Sequence, residues 1–342
     1  MNISTSACAC ACACKQELPL VSFQKGSLMM ESLFHHRNNS NKDKVVVIMG
    51  ATGAGKTKLA IDVAKHFQPA EIVNSDKMQV YKGLDITTNK VTEEECGGVP
   101  HHLLGTVDPY INFSANDFCR YATLAIDSIV EKNGLPIIAG GSNSYLDALV
   151  NHYPEFRLRY QCCFLWVDVA LPVLHSSLQA RVDRMIEAGQ VNDVRDFFDP
   201  SVTDYTKGIR RAIGVPEFDD FLRAEANGRL DERTKQRLLQ AAIARLKINN
   251  CTLANRQIQK IHRLHAFWKR NMHRLDATEV FRGSRDAWRD HVLAKTLIIL
   301  HKFLYGEKKT PHVVPAGIVS AKDVIAAAAV LSSPPVAMAA TR

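Results

Sequence analysis

The stretch VVVIMGATGAGKTKLA, from Val45 to Ala60, decides the fold of this chain. It begins as a continuous apolar run, typical of a buried strand, and ends with apolar residues at helical spacing. The segment between them matches G-x-x-x-x-G-K-[ST] in the strand-to-helix setting that a phosphate-binding P-loop requires. The predicted phosphate-binding residues are Gly50, Ala51, Thr52, Gly53, Ala54, Gly55, Lys56 and Thr57. The motif predicts a phosphorylated ligand but leaves open whether its phosphate is transferred or only held.

The residue types of this loop suit an anionic ligand. Glycines let backbone N–H groups turn inward around phosphate oxygens, and the following helix N-terminus adds favourable partial charge. Lys56 offers an ammonium group, and Thr57 offers a hydroxyl on the side where Mg²⁺ is expected.

Further strands and helices alternate after the P-loop. AEIVNSD (70–76) and CCFLWVDVAL (162–171) are predicted strands, and GLPIIAGGSNSYLDALV (134–150) is a strand that opens through two glycines into a helix. This order predicts an α/β fold of the P-loop NTPase type, with a parallel sheet wound on both faces and a crevice at the strands' carboxyl ends. From about residue 173 the pattern becomes helical. We therefore expect a catalytic domain over 44–305, with a P-loop core (44–170) and an α-rich C-terminal part (171–305).

The composition of the chain excludes only some classes of binding partner and some cellular compartments. The 342-residue chain has a net charge of +8 and 46% apolar residues, and phosphorylated metabolites, nucleic acid or simple solubility all fit that charge. Its nine cysteines show no zinc spacing with paired histidines, so we expect a reducing compartment rather than a disulfide framework. No apolar run approaches the ~18 residues that cross a bilayer. Nothing indicates a membrane anchor or an obligate protein partner.

The two ends of the chain have biased compositions. Glu17 and Glu31 are the only acidic residues among the first 40, which is the acid-poor composition of an organelle transit peptide. We predict a transit peptide over 1–43 and a plastid location, with a disordered N-terminus and a cytoplasmic or mitochondrial location as alternatives. We assign no function to the alternating ACACACAC run within residues 1–43. Residues 306–342 are predicted to be a disordered tail.

Three further features carry charge near the predicted crevice or beyond it. Asp76 follows the second strand, where a carboxylate can bind Mg²⁺, accept a proton or simply cap a turn. Arg181, in ARVDRM, has by itself the pattern of an exposed helical arginine. The segment from Arg256 to Arg274 carries Lys260 among its cations, with Phe267 and Trp268 between them. That pattern fits RNA, a nucleotide's phosphates or a solvated helix face.

Six motifs in order over residues 44 to 220 decide between these interpretations. They are GATGAGKT, NSDKMQVYKGLDITTNK, GVPHHLLG, AGGSNSY, ARVDRMIEAG and GIRRAIGVPEF. Together they resemble the isopentenyltransferase superfamily of tRNA dimethylallyltransferases and adenylate isopentenyltransferases, and NMHRLDATEVF (271–281) is similar to the plant adenylate branch. The resemblance implies dimethylallyl diphosphate as donor, N6 of an adenine as acceptor, and Mg²⁺. It also implies that the P-loop holds the departing diphosphate and that no phosphoryl group moves to an acceptor.

The resemblance implies a role for each matching position. Asp76 matches the general base that accepts the N6 proton, and Thr52 matches the threonine near the bridging oxygen of the donor. Lys56, Thr57 and the loop amides would stabilise the diphosphate, with Thr57 the Mg²⁺ ligand, and Arg181 would bind the departing phosphate. The loop departs from the commoner proline-containing version at Ala51, which removes no ligand group.

The prediction of which molecule accepts the dimethylallyl group depends on two features that this sequence lacks. Relatives that modify tRNA carry a long helical insertion where this chain has only Tyr145 to Gln161, and no C-x₂-C…H-x₃₋₅-H follows. We therefore expect a free adenine nucleotide, ADP or ATP before AMP, with its phosphates met by Arg210, Arg211 or the basic helix from Arg256. The alternatives are a tRNA dimethylallyltransferase and, more remotely, a P-loop small-molecule kinase or nucleotide-binding switch.

Overall fold

The fold is described from a computed structural model covering residues 42–228, 231–269, 271–283 and 286–306. The predicted transit peptide, apart from its last two residues, lies outside this range. So does the predicted disordered tail beyond Gly306.

A single six-stranded sheet forms the centre, in the order β3-β2-β4-β1-β5-β6. All five strand pairings are parallel, which confirms the predicted class. The strands are β1 (Asp43–Gly50), β2 (Ala70–Asn74), β3 (His101–His102), β4 (Leu135–Ala139), β5 (Tyr160–Asp168) and β6 (Met272–Asp276).

β1 lies between β4 and β5, and this places the P-loop near the middle of the sheet's carboxyl edge. Val46 is paired with Ile137 of β4 and with Cys163 of β5. Every residue from Val45 to Met49 is fully buried, because helices cover both faces of a parallel sheet. The loops after β2 and β4 emerge at the same edge, beside the P-loop.

Eleven α-helices surround the sheet in the described part of the chain. They are α1 (Lys56–His66), α2 (Glu93–Cys96), α3 (Ala115–Glu131), α4 (Asn143–Asp147), α5 (Pro154–Arg159), α6 (Leu171–Glu187), α7 (Gln190–Phe197), α8 (Asp219–Ala226), α9 (Glu232–Trp268), α10 (Thr278–Phe281) and α11 (Ala294–Tyr305). Turns of π-helix cover Ala148–His152 and Trp288–Leu293, and 3₁₀ turns cover Gly208–Arg211 and Pro216–Phe218. None of the described helices is both long and apolar enough to span a bilayer.

Alternate residues of β1 belong to two separate cores. Val45, Val47 and Met49 pack in a cluster with residues of α3 and α9. Val46 and Ile48 pack on the opposite face with residues of α1 and α11. This alternation follows from the two-residue repeat of a strand, and it means that the C-terminal helices cover both faces of the P-loop's own strand.

The boundaries of two predicted strands were wrong by a few residues. β2 ends at Asn74, because Ser75 and Asp76 turn back over the sheet edge, where the N–H of Ser142 donates to the carbonyl of Ser75 at 3.0 Å. β5 ends at Asp168, and α6 begins at Leu171. After β2 the turn falls at polar residues, whereas after β5 it consists of the apolar Val169 and Ala170, so the apolar run continued past the end of the strand.

The helical pattern of the C-terminal part concealed a strand. β6 returns to the sheet and pairs with β5 from Met272 opposite Phe164 to Asp276 opposite Asp168. Its charged residues hid it, since an edge strand needs little apolar surface. The α-rich part therefore completes the sheet as well as covering it.

Candidate active site

The P-loop wraps around the start of α1 as the motif predicts. Gly53 and Gly55 have φ angles of 76° and 96°, a region that side chains with a Cβ atom rarely adopt. The first amides of α1 have no preceding helical turn to bond to and so face the loop as donors. The Lys56 ammonium group donates to the carbonyl of Ala51 at 2.7 Å.

Arg181 reaches this loop from α6. Its Nη2 donates to Oγ1 of Thr52 at 3.1 Å and to Oδ1 of Asn250 at 3.1 Å. Because the threonine hydroxyl accepts from the arginine, its own proton is left to donate elsewhere. Arg181 Nε is buried and has no hydrogen-bond partner among the described residues. Arg181 therefore contacts the P-loop, although no local sequence pattern distinguished it from an exposed helical arginine.

Burial and neighbouring charge act on both cations. Desolvation lowers the pKa of Lys56 to about 8, while Asp76 opposes the shift and Arg181 adds to it. Desolvation also lowers the pKa of Arg181, against the attraction of Asp76. Two partly desolvated cations beside a loop of amide donors form a site for a polyanion, whose charge would relieve their mutual repulsion.

Asp76 uses its two carboxylate oxygens differently. Oδ1 accepts the backbone N–H of Met78 at 2.9 Å, so the turn-capping interpretation is correct for that oxygen. Oδ2 lies at the loop after β4, where a Cβ added to Gly141 would be 3.2 Å from it. The neighbouring Gly140 is needed because a Cβ there would lie 2.3 Å from the backbone carbon of Ser75. Asp76 is thus held rigidly, with one oxygen still available to the crevice.

A second group of cations surrounds Lys77, the residue that follows Asp76. The pKa of Lys77 is lowered by burial first, then by Arg211 and Lys260, with Asp76 opposing. The ammonium group of Lys77 lies 5.3 Å from the ring centroid of Tyr145. Nη2 of Arg211 donates to the hydroxyl of Tyr81 at 3.2 Å. Two of the predicted acceptor-side cations, Arg211 and Lys260, are therefore close enough to Lys77 to affect its pKa, and Lys77 itself was not predicted.

Other predicted acceptor residues lie elsewhere. Arg210 points away from Arg211, with its guanidinium 5.1 Å from the ring centroid of Tyr110 and 5.5 Å from that of Phe197. Trp268 is buried and stacks on Phe164 at 4.4 Å, so it is a core residue rather than a base-stacking surface.

Two polar residues of α9 were missed by the sequence analysis. Asn250 holds Arg181, and Gln257 accepts the N–H of Thr52 at 2.8 Å. A signal for both exists in the sequence, because they interrupt a stripe of buried residues at helical spacing. The buried members of this stripe are Leu246, Ala254, Ile261, Leu264 and Trp268. A polar residue in such a stripe needs a partner from another element.

Comparison with known proteins places the chain among enzymes of isopentenyl transfer. The sequence model of a family described as IPP transferase matches residues 79–158 and 151–263. Adenylate isopentenyltransferase 5, chloroplastic, of Arabidopsis thaliana is 61% identical over 77% of this chain and 81% of its own length. Adenylate isopentenyltransferase 7, mitochondrial, of the same plant is 50% identical over 84% and 88%. The adenylate isopentenyltransferase of Humulus lupulus is 41% identical over 75% and 89%.

The names of these relatives bear on localisation. The relative that is 61% identical is chloroplastic, and the relative that is 50% identical is mitochondrial. They confirm the predicted plastid localisation and keep the mitochondrion as the alternative.

Solved structures share the fold. A eukaryotic dimethylallyltransferase acting on tRNA has a TM-score of 0.65 at 24% identity, covering 76% of this chain and 79% of that one. A full-length tRNA isopentenylpyrophosphate transferase from Bacillus halodurans has a TM-score of 0.57 at 27% identity, covering 78% and 96%. The sequence relatives and the structural relatives thus differ in the acceptor that their names state.

Proposed function

The chain belongs to the adenylate isopentenyltransferase family, and we propose that it transfers the dimethylallyl group of dimethylallyl diphosphate to N6 of a free adenine nucleotide. The products are the N6-prenylated nucleotide and diphosphate. This is a prenyltransferase reaction, in which the P-loop holds a leaving group.

The observation that carries the proposal is that Asp76 interacts electrostatically both with the cations of the P-loop site and with Lys77. Lys56 and Arg181 lie at the P-loop. Arg211 and Lys260 form a second group with Lys77, whose pKa they lower. A bisubstrate reaction between two phosphorylated molecules needs two anion sites with the reacting atoms between them. A carboxylate at that junction suits a base that acts on the acceptor amine.

The bonds that form and break in the proposed reaction define a role for each side chain of the site. The N6 nitrogen attacks the allylic C1 carbon, the C1–O bond breaks, and the electron pair leaves with the diphosphate. The N6 proton passes to Oδ2 of Asp76. Lys56, Arg181 and the loop amides stabilise the charge on the leaving group, a contribution of about 2.7–4 kcal/mol for each donor in comparable sites. The hydroxyl of Thr52, oriented by Arg181 at 3.1 Å, donates to the bridging oxygen.

Mg²⁺ is part of the proposal. Thr57 is exposed and is the second residue of α1, at the P-loop. No cluster of three or more His, Cys, Asp or Glu ligands occurs in the described part of the chain. This donor set fits an ion that Thr57 and the substrate's phosphate oxygens would hold together. Bound there, Mg²⁺ supplies positive charge that stabilises the departing diphosphate.

The acceptor proposal rests on the short connection between β4 and β5. Two short α-helices and a π-helical turn fill it, which leaves no helical insertion to grip a tRNA stem. Three cations, Lys77, Arg211 and Lys260, match the phosphates of a single nucleotide rather than the many phosphates of an RNA stem. Because there is more than one cation, ADP or ATP is favoured over AMP. The fold shared with enzymes acting on tRNA keeps tRNA as the second candidate acceptor.

A single assay separates the acceptors. Radiolabelled dimethylallyl diphosphate and Mg²⁺ are incubated with AMP, ADP, ATP or an anticodon stem-loop, at several salt concentrations. We expect label in the free nucleotides, with a shallow salt dependence. Prenylation of the stem-loop alone, with a slope near −0.9 per neutralised phosphate, would contradict the proposal. Label in no acceptor would remove both prenyl-transfer hypotheses and favour a P-loop kinase or switch.

A further inference from the structure

Gln257 of α9 joins the loop after β1 to the loop after β4. Its Oε1 accepts the N–H of Thr52 at 2.8 Å, and its Nε2 donates to the carbonyl of Gly141 at 2.9 Å. Its own backbone carbonyl accepts from Nδ2 of Asn143 at 3.0 Å. One residue therefore sets the separation of the two loops.

These two loops carry the two halves of the reaction. Thr52 belongs to the donor side, because it lies in the P-loop and accepts from Arg181. Gly141 belongs to the side of the base, since a Cβ there would lie 3.2 Å from Oδ2 of Asp76 and 2.8 Å from Nε2 of Gln257. The glutamine amide thus flanks the same small space as the carboxylate.

The rest of α9 supports this arrangement. Asn250, which accepts from Arg181 at 3.1 Å, precedes Gln257 by seven residues, which is about two helical turns. Both side chains therefore leave the same face of one rigid helix. Lateral movement of α9 would displace the leaving-group arginine, the P-loop and the loop beside the base together.

We propose that Gln257 is a positioning residue that keeps the donor's C1 carbon in line with the N6 amine at Asp76. The inference rests on the proposed function. Gln257 contributes geometry rather than charge, since its amide is neutral and both of its bonds are to backbone groups. A displacement of about 1 Å between reacting groups can reduce a rate by about 10², so the loss belongs in kcat rather than in the affinity for either substrate.

Three variants test this proposal. Gln257→Met keeps the length of the side chain and removes both hydrogen bonds. Gln257→Glu keeps the acceptor for Thr52, loses the donor to Gly141 and adds a carboxylate near Asp76. Asn255→Leu is the matched control, because it removes another α9 hydrogen bond, to Nε2 of His175 at 2.9 Å, outside the site.

The expected results separate positioning from stability. For Gln257→Met we expect kcat to fall by about 10–10², with KM for both substrates within about threefold of the parent. Asn255→Leu should change kcat by less than threefold at a comparable loss of Tm. For Gln257→Glu, which keeps the bond to Thr52 and loses the bond to Gly141, we expect a fall in kcat smaller than that of Gln257→Met but larger than that of Asn255→Leu.

Several results would overturn the inference. A Gln257→Met kcat no lower than that of Asn255→Leu means that the bridge has no catalytic consequence. A rise in the donor KM that accounts for the whole loss means that the residue acts in binding. If Gln257→Met does not fold, a kcat of Gln257→Glu no lower than that of Asn255→Leu leads to the same conclusion. A parent enzyme that prenylates no acceptor would instead refute the proposed function on which the inference rests.

Discussion

At the scale of single residues, Asp76 shows how one side chain is held in place and left reactive. Oδ1 accepts backbone N–H groups of Met78 and Gln79 at 2.9 and 3.4 Å, which fixes the rotamer. Oδ2 faces Gly141 and the cations of the site. The structural role of Asp76 and its proposed catalytic role are therefore compatible, because each uses a different oxygen.

Replacing Asp76 by Asn keeps Oδ1 as the acceptor in the turn and removes the base. We expect kcat to fall by about 10²–10⁴ while nucleotide binding is retained. Steady-state kinetics and equilibrium binding of ATP measure the two effects. Asp108→Asn is the control, because Asp108 caps a comparable turn by accepting from Tyr110 N–H at 2.8 Å. Turnover within a few-fold of the parent would mean that Asp76 acts only as a turn residue.

The pKa of Lys56 makes diphosphate binding depend on pH. With the pKa lowered to about 8 by burial, the ammonium group of the free enzyme is mostly protonated at pH 7 and mostly neutral at pH 9. If only the protonated form binds well, pyrophosphate inhibition should weaken by about tenfold across this interval. The free energy of unfolding depends on pH in the opposite direction. Lys56 binds its proton more tightly in the unfolded chain, so its burial destabilises the folded protein most below about pH 8. This destabilisation diminishes as the pH rises from about 8 toward the pKa of the unfolded chain.

Inhibition constants for pyrophosphate between pH 6.5 and 9.5 test this expectation. Lys56→Arg provides the comparison, because a guanidinium group stays charged throughout the range. Its pH dependence should be flatter than that of the parent enzyme. Parallel curves for the two proteins would mean that Lys56 is not the titrating group.

At the scale of secondary-structure elements, α9 connects the P-loop to the loop after β4. This helix of 37 residues presents Asn250 to Arg181 and Gln257 to Thr52. Its Lys260 lowers the pKa of Lys77. Residues at positions i, i+3, i+7 and i+10 share one helical face. Its cations therefore differ in their surroundings: Lys260 is half-buried near Lys77, and Arg263 is exposed to solvent.

Removing the charge of Lys260 should therefore affect the acceptor selectively. One charge-assisted contact contributes about 1.5 kcal/mol, which corresponds to about a tenfold rise in the KM for ATP or ADP in Lys260→Met. The KM for dimethylallyl diphosphate should change by less than twofold. Arg263→Met, three residues further along the helix, should leave both values unchanged. Equal effects of the two variants would indicate general electrostatic attraction rather than a defined contact.

At the scale of the whole molecule, the P-loop core depends on the helical part that follows it. Phe164 of β5 is covered by Trp268 of α9, and Leu165 shares the opposite core with Leu297 and Leu300 of α11. β6 adds an edge strand to β5. The ring of Trp288 packs against the P-loop itself, since a Cβ on Gly55 would lie 3.0 Å from it.

We expect a fragment comprising residues 42–170 not to fold by itself. Both faces of its sheet would expose apolar side chains that later helices bury in the full chain. Circular dichroism and limited proteolysis should show little cooperative structure, whereas residues 42–306, as the matched longer fragment, should unfold cooperatively. A cooperative thermal transition in the shorter fragment would show that the P-loop core is an independent domain.

The sequence by itself determined the P-loop, the parallel class of the sheet, the helix after the loop and the identity of Asp76 as a crevice residue. These features depend on short-range rules: the two-residue repeat of strands, the helical repeat, and glycines where the backbone needs them. The family resemblance also identified Arg181, which no local pattern could distinguish from a solvated arginine.

Only the tertiary structure decided which distant side chains converge. Arg210 and Arg211 are neighbours in one 3₁₀ turn, yet packing directs the first to Tyr110 and Phe197 and the second to Tyr81. The bridge from Gln257 to Thr52 and Gly141 likewise joins segments more than a hundred residues apart. Such contacts depend on how α9 lies across the ends of the strands. That position is set by the summed burial of both cores, which no local window of the sequence contains.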